Sequence, residues 1–202
     1  MATTYRTAPG YRPDRRDSTS SKPSTGVLVG VAAAGAAAGL LLNLARKAAI
    51  QAPTAMAGRD WAKGLALEHA AVLKVLDMII DSDDDATARR TMHLLQAKHA
   101  LLKHSVQEEN VVYPALRDAG ETEGADELNH DHGYVKQYLY ELENMEKAGP
   151  AFVAKVKEFR ALLVKHMDEE ENVLFPRLQE RLGEEGNKKV AMSMNKEGMI
   201  VA

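Results

Sequence analysis

Two stretches decide the fold of this chain: residues 104–114 read HSVQEENVVYP, and residues 166–176 read HMDEEENVLFP. A histidine, two glutamates, an asparagine, an aromatic residue and a proline recur at the same offsets, sixty-two residues apart. In each copy a glutamate follows the histidine by four residues, which on a helix places both side chains on one face. Two such faces turned inward would offer nitrogen and oxygen ligands to a metal.

A second, weaker sequence repeat precedes each copy. Residues 68–77 read EHAAVLKVLD and residues 131–140 read DHGYVKQYLY, which places His69 and His132 at matching positions sixty-three residues apart. The sequence therefore predicts two repeated helical hairpins. Each hairpin carries one histidine on its first helix and a His-x-x-x-Glu pair on its second.

Apolar residues recur at helical spacing in four segments from Asp60 to Gly183. Polar or Gly/Pro-containing breaks near residues 81–87, 120–124 and 148–150 separate them. This pattern predicts an all-α fold, an up-down-up-down antiparallel four-helix bundle at residues 58–183. The second helix is expected to kink or stop at Pro114. Residues 184–202 are expected to form a flexible C-terminal tail, either disordered or weakly packed on the bundle.

The composition excludes cysteine-based sites and argues against one class of partner. The chain has 202 residues and no cysteine, so disulfides, iron–sulfur clusters and thiolate zinc sites are excluded. Residues 64–202 carry seventeen Lys/Arg against twenty-six Asp/Glu, and this acidic balance argues against nucleic-acid binding by the bundle. Any metal would be held by histidine, carboxylate or water.

The N-terminal part differs from the bundle. Residues 1–25 are rich in Ser, Thr, Pro and Arg and are expected to form a disordered basic tail, followed by an apolar helix at residues 26–50. Its uninterrupted apolar run, residues 27–42, is near the lower length limit for a membrane span. We expect a membrane anchor through residues 27–45 with the bundle on the cytoplasmic side. An Ala-rich soluble helix, or a signal sequence and an exported form, are the alternatives.

Two GxxxG patterns inside the apolar helix suit close helix packing, so a homo-oligomer through this segment is a further expectation. They are formed by Gly26 with Gly30 and by Gly35 with Gly39.

The repeated hairpins place a ligand-type residue where an apolar residue would pack better. Burying histidine and glutamate costs several kcal/mol unless each finds a partner, and a pair of metal ions would supply it. Mixed imidazole and carboxylate ligands suit iron, with manganese or zinc also possible. The predicted ligands are His69, His104, Glu108, His132, His166 and Glu170. Glu109 and Glu171 lie one position off the inner face, either as carboxylates that orient a histidine or as solvated charges.

This order of residues, H…HxxxE…H…HxxxE over about residues 60–183, resembles the hemerythrin-like family, also called HHE cation-binding domains. The resemblance implies a non-haem di-iron centre, with two iron ions inside a four-helix bundle. Oxygen-carrying members have two histidines one turn apart on the third helix. Here the positions one turn either side of His132 are Leu128 and Lys136. Water or a tyrosine, with Tyr134 and Tyr138 as candidates by neighbourhood, would then replace the missing histidine.

Three functions follow as hypotheses. The first is a non-enzymatic di-iron protein that binds or senses dioxygen or another small diatomic ligand, or handles iron. The second is a di-iron enzyme that acts on peroxide or nitric oxide, favoured by an open coordination position. The third is a membrane-associated interaction module in which the metal staples the bundle.

Overall fold

A computed structural model describes residues 60–201, and this part of the chain is entirely helical. The helices are α1 (Trp61–Ile80), α2 (Thr87–Gln107), α3 (Tyr113–Asp118), α4 (Thr122–Asn144), α5 (Pro150–Glu169) and α6 (Phe175–Val201). Two π-helical segments of five residues link them: π1 (Glu108–Val112) joins α2 to α3, and π2 (Glu170–Leu174) joins α5 to α6. The all-α prediction is confirmed. The predictions for residues 1–50, including the membrane anchor and the GxxxG oligomer, lie outside the described residues.

Within residues 60–201, every helix is too short or too polar to cross a membrane.

The helices form four arms: α1, then α2–π1–α3, then α4, then α5–π2–α6. Helix α1 packs against α2 and α5, while α4 packs against α2, α3 and α5. Asp60 caps the start of α1 because its carboxylate accepts a hydrogen bond of 3.1 Å from the backbone N–H of Lys63. Gly149, at a φ of 78°, makes the turn before Pro150 starts α5. The four predicted helices thus assemble as a helical bundle.

Two apolar clusters fill the interior. One includes Val72, Leu76, Leu101, Leu139 and Phe159, and the other includes Leu65, Leu116, Leu128, Phe175 and Leu178. Each arm passes from one cluster to the other, and the histidine of that arm lies between its two apolar segments. The clusters therefore enclose a polar layer at mid-height of the bundle.

The C-terminal segment follows the second of the two alternatives predicted from the sequence, because it packs on the bundle. The backbone leaves helical geometry at Gly183, with a φ of 59°, and residues 184–201 then form a helix rather than a disordered tail. Val190, Ala191 and Met194 are buried, and Gln107 donates a hydrogen bond of 3.0 Å to the carbonyl of Met194. The segment is ordered because these apolar residues share one helical face that packs along α2.

Asn187 connects this segment to the start of α1 through a hydrogen bond to Trp61. The indole Nε1 of Trp61 donates to Asn187 Oδ1 at 2.7 Å, and the Asn187 amide donates to the carbonyls of Gln179 and Gly183 at 2.8 Å and 2.7 Å. Asn187→Ala should lower the free energy of unfolding by about 1–3 kcal/mol, because the buried indole N–H loses its acceptor. Urea denaturation measures this loss.

The matched control is Asn144→Ala, since the exposed Asn144 amide donates to the carbonyl of Tyr140 in its own helix. Its effect should stay within about 0.5 kcal/mol. An equal loss in both variants would show that the bond to Trp61 does not hold the C-terminal segment.

Candidate metal centre

Both repeated stretches leave α-helical geometry at the same place. The N–H of Tyr113 donates to the carbonyl of Glu108, and the N–H of Phe175 donates to the carbonyl of Glu170, five residues back in each case. A proline follows each of these aromatic residues and has no N–H to donate. The helix therefore widens ahead of Pro114 and continues as α3, so of the two predicted outcomes, a kink or a stop, the stop does not occur. Such π-helical turns are frequent at functional sites.

All six predicted ligands lie together in the polar layer. Each is at most 4% exposed, and Glu108 and Glu170 are fully buried. Their nitrogen and oxygen atoms form two groups whose members lie within 4.8 Å of one another. One group is His69, His104, Glu108 and Glu170, and the other is Glu108, His132 and His166.

The two glutamates connect the groups. Glu108 places Oε1 3.0 Å from His104 Nε2 and Oε2 3.4 Å from His132 Nε2. Glu170 places Oε2 3.4 Å from His69 Nε2 and Oε1 3.4 Å from His166 Nε2. Each carboxylate therefore faces one histidine of its own repeat and one of the other repeat, and Glu108 belongs to both groups.

A carboxylate faces the outer nitrogen, Nδ1, of all four histidines. The distances are 2.6 Å from His69 to Glu171, 3.3 Å from His104 to Glu68, 2.9 Å from His132 to Glu109 and 3.6 Å from His166 to Asp131. Carboxylates in this position fix the orientation of a ligand imidazole.

Glu109 and Glu171, left open by the sequence, thus contact histidines of the opposite repeat. Glu68 and Asp131 were missed. The available signal was an acidic residue directly before the first histidine of each hairpin.

The enclosed charges perturb one another strongly. Burial opposes protonation of His104, but the carboxylates of Glu108 and Glu68 outweigh it and raise its pKa to about 10. Burial lowers the pKa of His166 to about 3. Burial would raise the pKa of Glu108, yet His104 and His132 hold this pKa well below its usual range. The pKa of Glu170 is raised instead, by burial and by the negative charge of Glu108. The six groups therefore cannot all keep their ordinary charge states side by side.

Several of the ligand atoms also make no hydrogen bond, although charged groups lie 3.0–3.6 Å away. Within residues 60–201, His166 Nδ1 and Nε2, Glu108 Oε1 and Glu170 Oε2 are buried and make no hydrogen bond. A buried polar atom without a partner costs about 1–3 kcal/mol. Cations at the two groups would bind His166 Nε2 and the two carboxylate oxygens and would neutralise the paired glutamates. The residues present therefore fit a pair of imidazole- and carboxylate-bound metal ions.

Tyr113 is a buried site residue that sequence reasoning missed. Its hydroxyl donates to Glu170 Oε1 at 2.8 Å and lies 3.0 Å from His132 Nε2. On a regular helix, a residue five positions after Glu108 would point about 140° away from it. The wider turn of π1 returns Tyr113 to the face of Glu108. The equivalent residue of the second repeat is Phe175, so the hydroxyl makes the centre asymmetric.

The tyrosines proposed from the sequence lie elsewhere. Tyr134 is 45% exposed and packs on His130, and Tyr138 stacks on Phe159. The side chain of Lys136 reaches Glu109 at 3.0 Å. The prediction of Tyr134 or Tyr138 is therefore wrong, because the tyrosine beside His132 is Tyr113.

A small cavity of about 10 Å³ adjoins the histidines, which is roughly the space that one water molecule needs. Six of its lining residues are repeat equivalents: Leu101 with Leu163, His104 with His166, and Ser105 with Met167; His132 and Val135 complete it. The cavity thus lies between the two repeats, in contact with ligands of both groups.

Comparisons with known proteins agree with this arrangement. The family model described as the hemerythrin HHE cation binding domain matches residues 62–178. The chain is 33% identical over 132 residues to an uncharacterized hemerythrin-like protein of Schizosaccharomyces pombe, and the aligned region covers 64% of each chain. The chain thus spans less than two thirds of the length of this relative. No solved structure matches this chain significantly.

Proposed function

The chain belongs to the hemerythrin HHE cation-binding domain family, and on that premise we propose that it is a di-iron protein that binds or senses dioxygen or handles iron. The observation that carries the proposal is the pair of buried glutamates, each of which faces a histidine of both repeats. The proposal includes an up-down-up-down antiparallel order of the four arms. Manganese and zinc are the alternative metals.

The residues divide into two positions. His69 and His104 would hold one iron ion, and His132 and His166 would hold the other. Glu108 and Glu170 would bridge them. When bound, such a pair supplies a redox-active Lewis acid for small oxygen-containing ligands.

The surrounding residues prepare this centre. The outer carboxylates orient the imidazole rings, and Tyr113 donates a hydrogen bond to Glu170. The apolar clusters above and below exclude bulk water, and the adjacent cavity offers space on the scale of one water molecule.

Turnover of peroxide or nitric oxide is the second candidate function. Leu128, buried in an apolar cluster, stands at a position where the resemblance would place a further histidine. The iron position of His132 and His166 would then have fewer nitrogen ligands than the corresponding position of an oxygen carrier. Turnover by the iron-loaded protein that is lost in Glu170→Ala would favour this function, whereas reversible dioxygen binding without turnover would favour the first.

The di-iron proposal is tested by metal content and absorption of the full chain. After loading with ferrous iron without oxygen and desalting, the protein should retain about two iron ions per chain. Exposure to air should produce near-ultraviolet and visible absorption of ferric iron that bleaches on reduction. His104→Ala should lower the iron content.

The control is His99→Ala, because His99 lies in the same helix with an exposed side chain and should leave the iron content unchanged. Less than about one iron per chain in the parent protein, without the absorption, would contradict the proposal.

A further inference from the structure

A buried lysine stands behind one of the four histidines. Lys103 is 3% exposed, and its Nζ bonds to Oε1 of Glu68. The other oxygen of Glu68 lies 3.3 Å from His104 Nδ1. Lysine, carboxylate and imidazole therefore form a buried chain that ends on a metal-facing histidine.

The second repeat also has a carboxylate and a lysine in this order, but they are arranged differently. Lys165 and Asp131 occupy the positions of Lys103 and Glu68. Lys165 is exposed, and Asp131 lies 3.6 Å from His166 Nδ1 without a hydrogen bond. Aspartate is one methylene shorter than glutamate, which accounts for the longer distance. The C-terminal helix packs along α2, the helix that carries Lys103.

A second lysine contacts an outer carboxylate, but from solvent. Lys136 reaches Glu109, the partner of His132, and its side chain is 56% exposed. Water and salt screen an exposed charge of this kind, whereas a buried charge is screened much less. Lys103 thus acts on an outer carboxylate of the centre from a buried position, whereas Lys136 acts from solvent.

We propose that Lys103 is a positioning residue that makes the two metal positions inequivalent. A carboxylate that accepts the Nδ1 proton of a ligand histidine makes the imidazole a stronger electron donor. Lys103 binds the same carboxylate and offsets its negative charge, so His104 donates less strongly than it would beside Glu68 alone. The iron held by His69 and His104 is therefore easier to reduce than it would be without Lys103. This inference rests on the proposed di-iron centre.

The alternative role of Lys103 is purely structural, a buried ion pair that contributes to folding. Both roles predict a change in stability when Lys103 is replaced. They differ in the electronic properties of the bound iron, which a structural role would leave unchanged in any variant that folds and loads.

The test compares the parent full chain, Lys103→Met and Lys165→Met, each loaded with ⁵⁷Fe. Mössbauer spectra resolve the two irons, and a redox titration gives their midpoint potentials. In Lys103→Met, the equilibrium constant for reducing one of the two irons should fall about tenfold, a shift of about 59 mV to lower potential. One quadrupole doublet should move with it. Lys165→Met should match the parent.

Two further variants keep the test decisive. Lys103→Gln removes the charge but keeps a hydrogen-bond donor to Glu68, so it should reproduce the shift where the methionine variant folds poorly. Lys103→Arg keeps the charge and should restore the parent potentials. Parent-like spectra and potentials in the folded, iron-loaded methionine or glutamine variant would overturn the inference. A parent protein that holds no iron would instead overturn the di-iron proposal.

Discussion

Glu108→Ala should remove most of the bound iron, because both of the proposed metal positions lose an oxygen ligand at once. The two oxygens of Glu108 face His104 in one group and His132 in the other. Loss of an outer-shell partner typically lowers metal affinity 10–100-fold, so loss of a bridging ligand should lower it by at least about 100-fold. Iron content after desalting should fall well below half of the parent value. Competition with a chelator gives the change in affinity.

The control for this variant is Glu169→Ala. Glu169 is exposed and precedes Glu170 directly, so it tests the loss of a glutamate in a repeated stretch without the loss of a ligand. Its iron content should equal that of the parent, and circular dichroism should show that both variants remain helical. Parent-like iron affinity in a folded Glu108→Ala protein would rule out the bridging role.

Arg90→Ala should cause the largest loss of stability outside the centre. Arg90 is fully buried at the end of the bundle, where its guanidinium joins the α1–α2 loop to the α4–α5 loop. It donates to the Ser82 hydroxyl at 2.8 Å and to the carbonyls of Lys147 and Gly149 at 2.7 Å and 3.1 Å. Its removal leaves these acceptors without a donor and opens a cavity. We expect a loss of about 4 kcal/mol in the free energy of unfolding, measured by urea denaturation.

The neighbouring arginine provides the comparison. Arg89 is 53% exposed and pairs with Asp83, which is 84% exposed, so Arg89→Ala should cost less than about 1 kcal/mol. Iron bound per folded chain should be unchanged in both variants, because both residues lie in the hairpin end rather than in the polar layer. Equal losses for the two arginines would show that the loop carbonyls find other donors.

The candidate ligands were predictable from the sequence because their spacing follows the regular helix. A residue four positions after a histidine shares its face, and the repetition of this pair identified His104, Glu108, His166 and Glu170 as one set. The structure brings them together with His69 and His132. Tyr113 was not predicted because its position depends on a π-helical turn, which interrupts the regular 3.6-residue period of the α-helix.

The outer groups were not predictable because they depend on contacts between distant parts of the chain. Glu171 reaches His69 across 102 residues, and Glu109 reaches His132 across 23. The burial of Lys103 likewise depends on packing. Its equivalent Lys165 follows the same local pattern yet is exposed.

The sequence alone establishes the helical hairpins, their repetition and the six inward-facing candidate ligands, because these follow from a periodicity of 3.6 residues and from the cost of burying polar groups without partners. Packing between the arms sets which carboxylate contacts which histidine, that Tyr113 enters the polar layer and that residues 184–201 pack on the bundle. Those features arise where arms meet or where the helix departs from its regular period. The two similar repeats therefore produce a candidate centre whose halves have different surroundings.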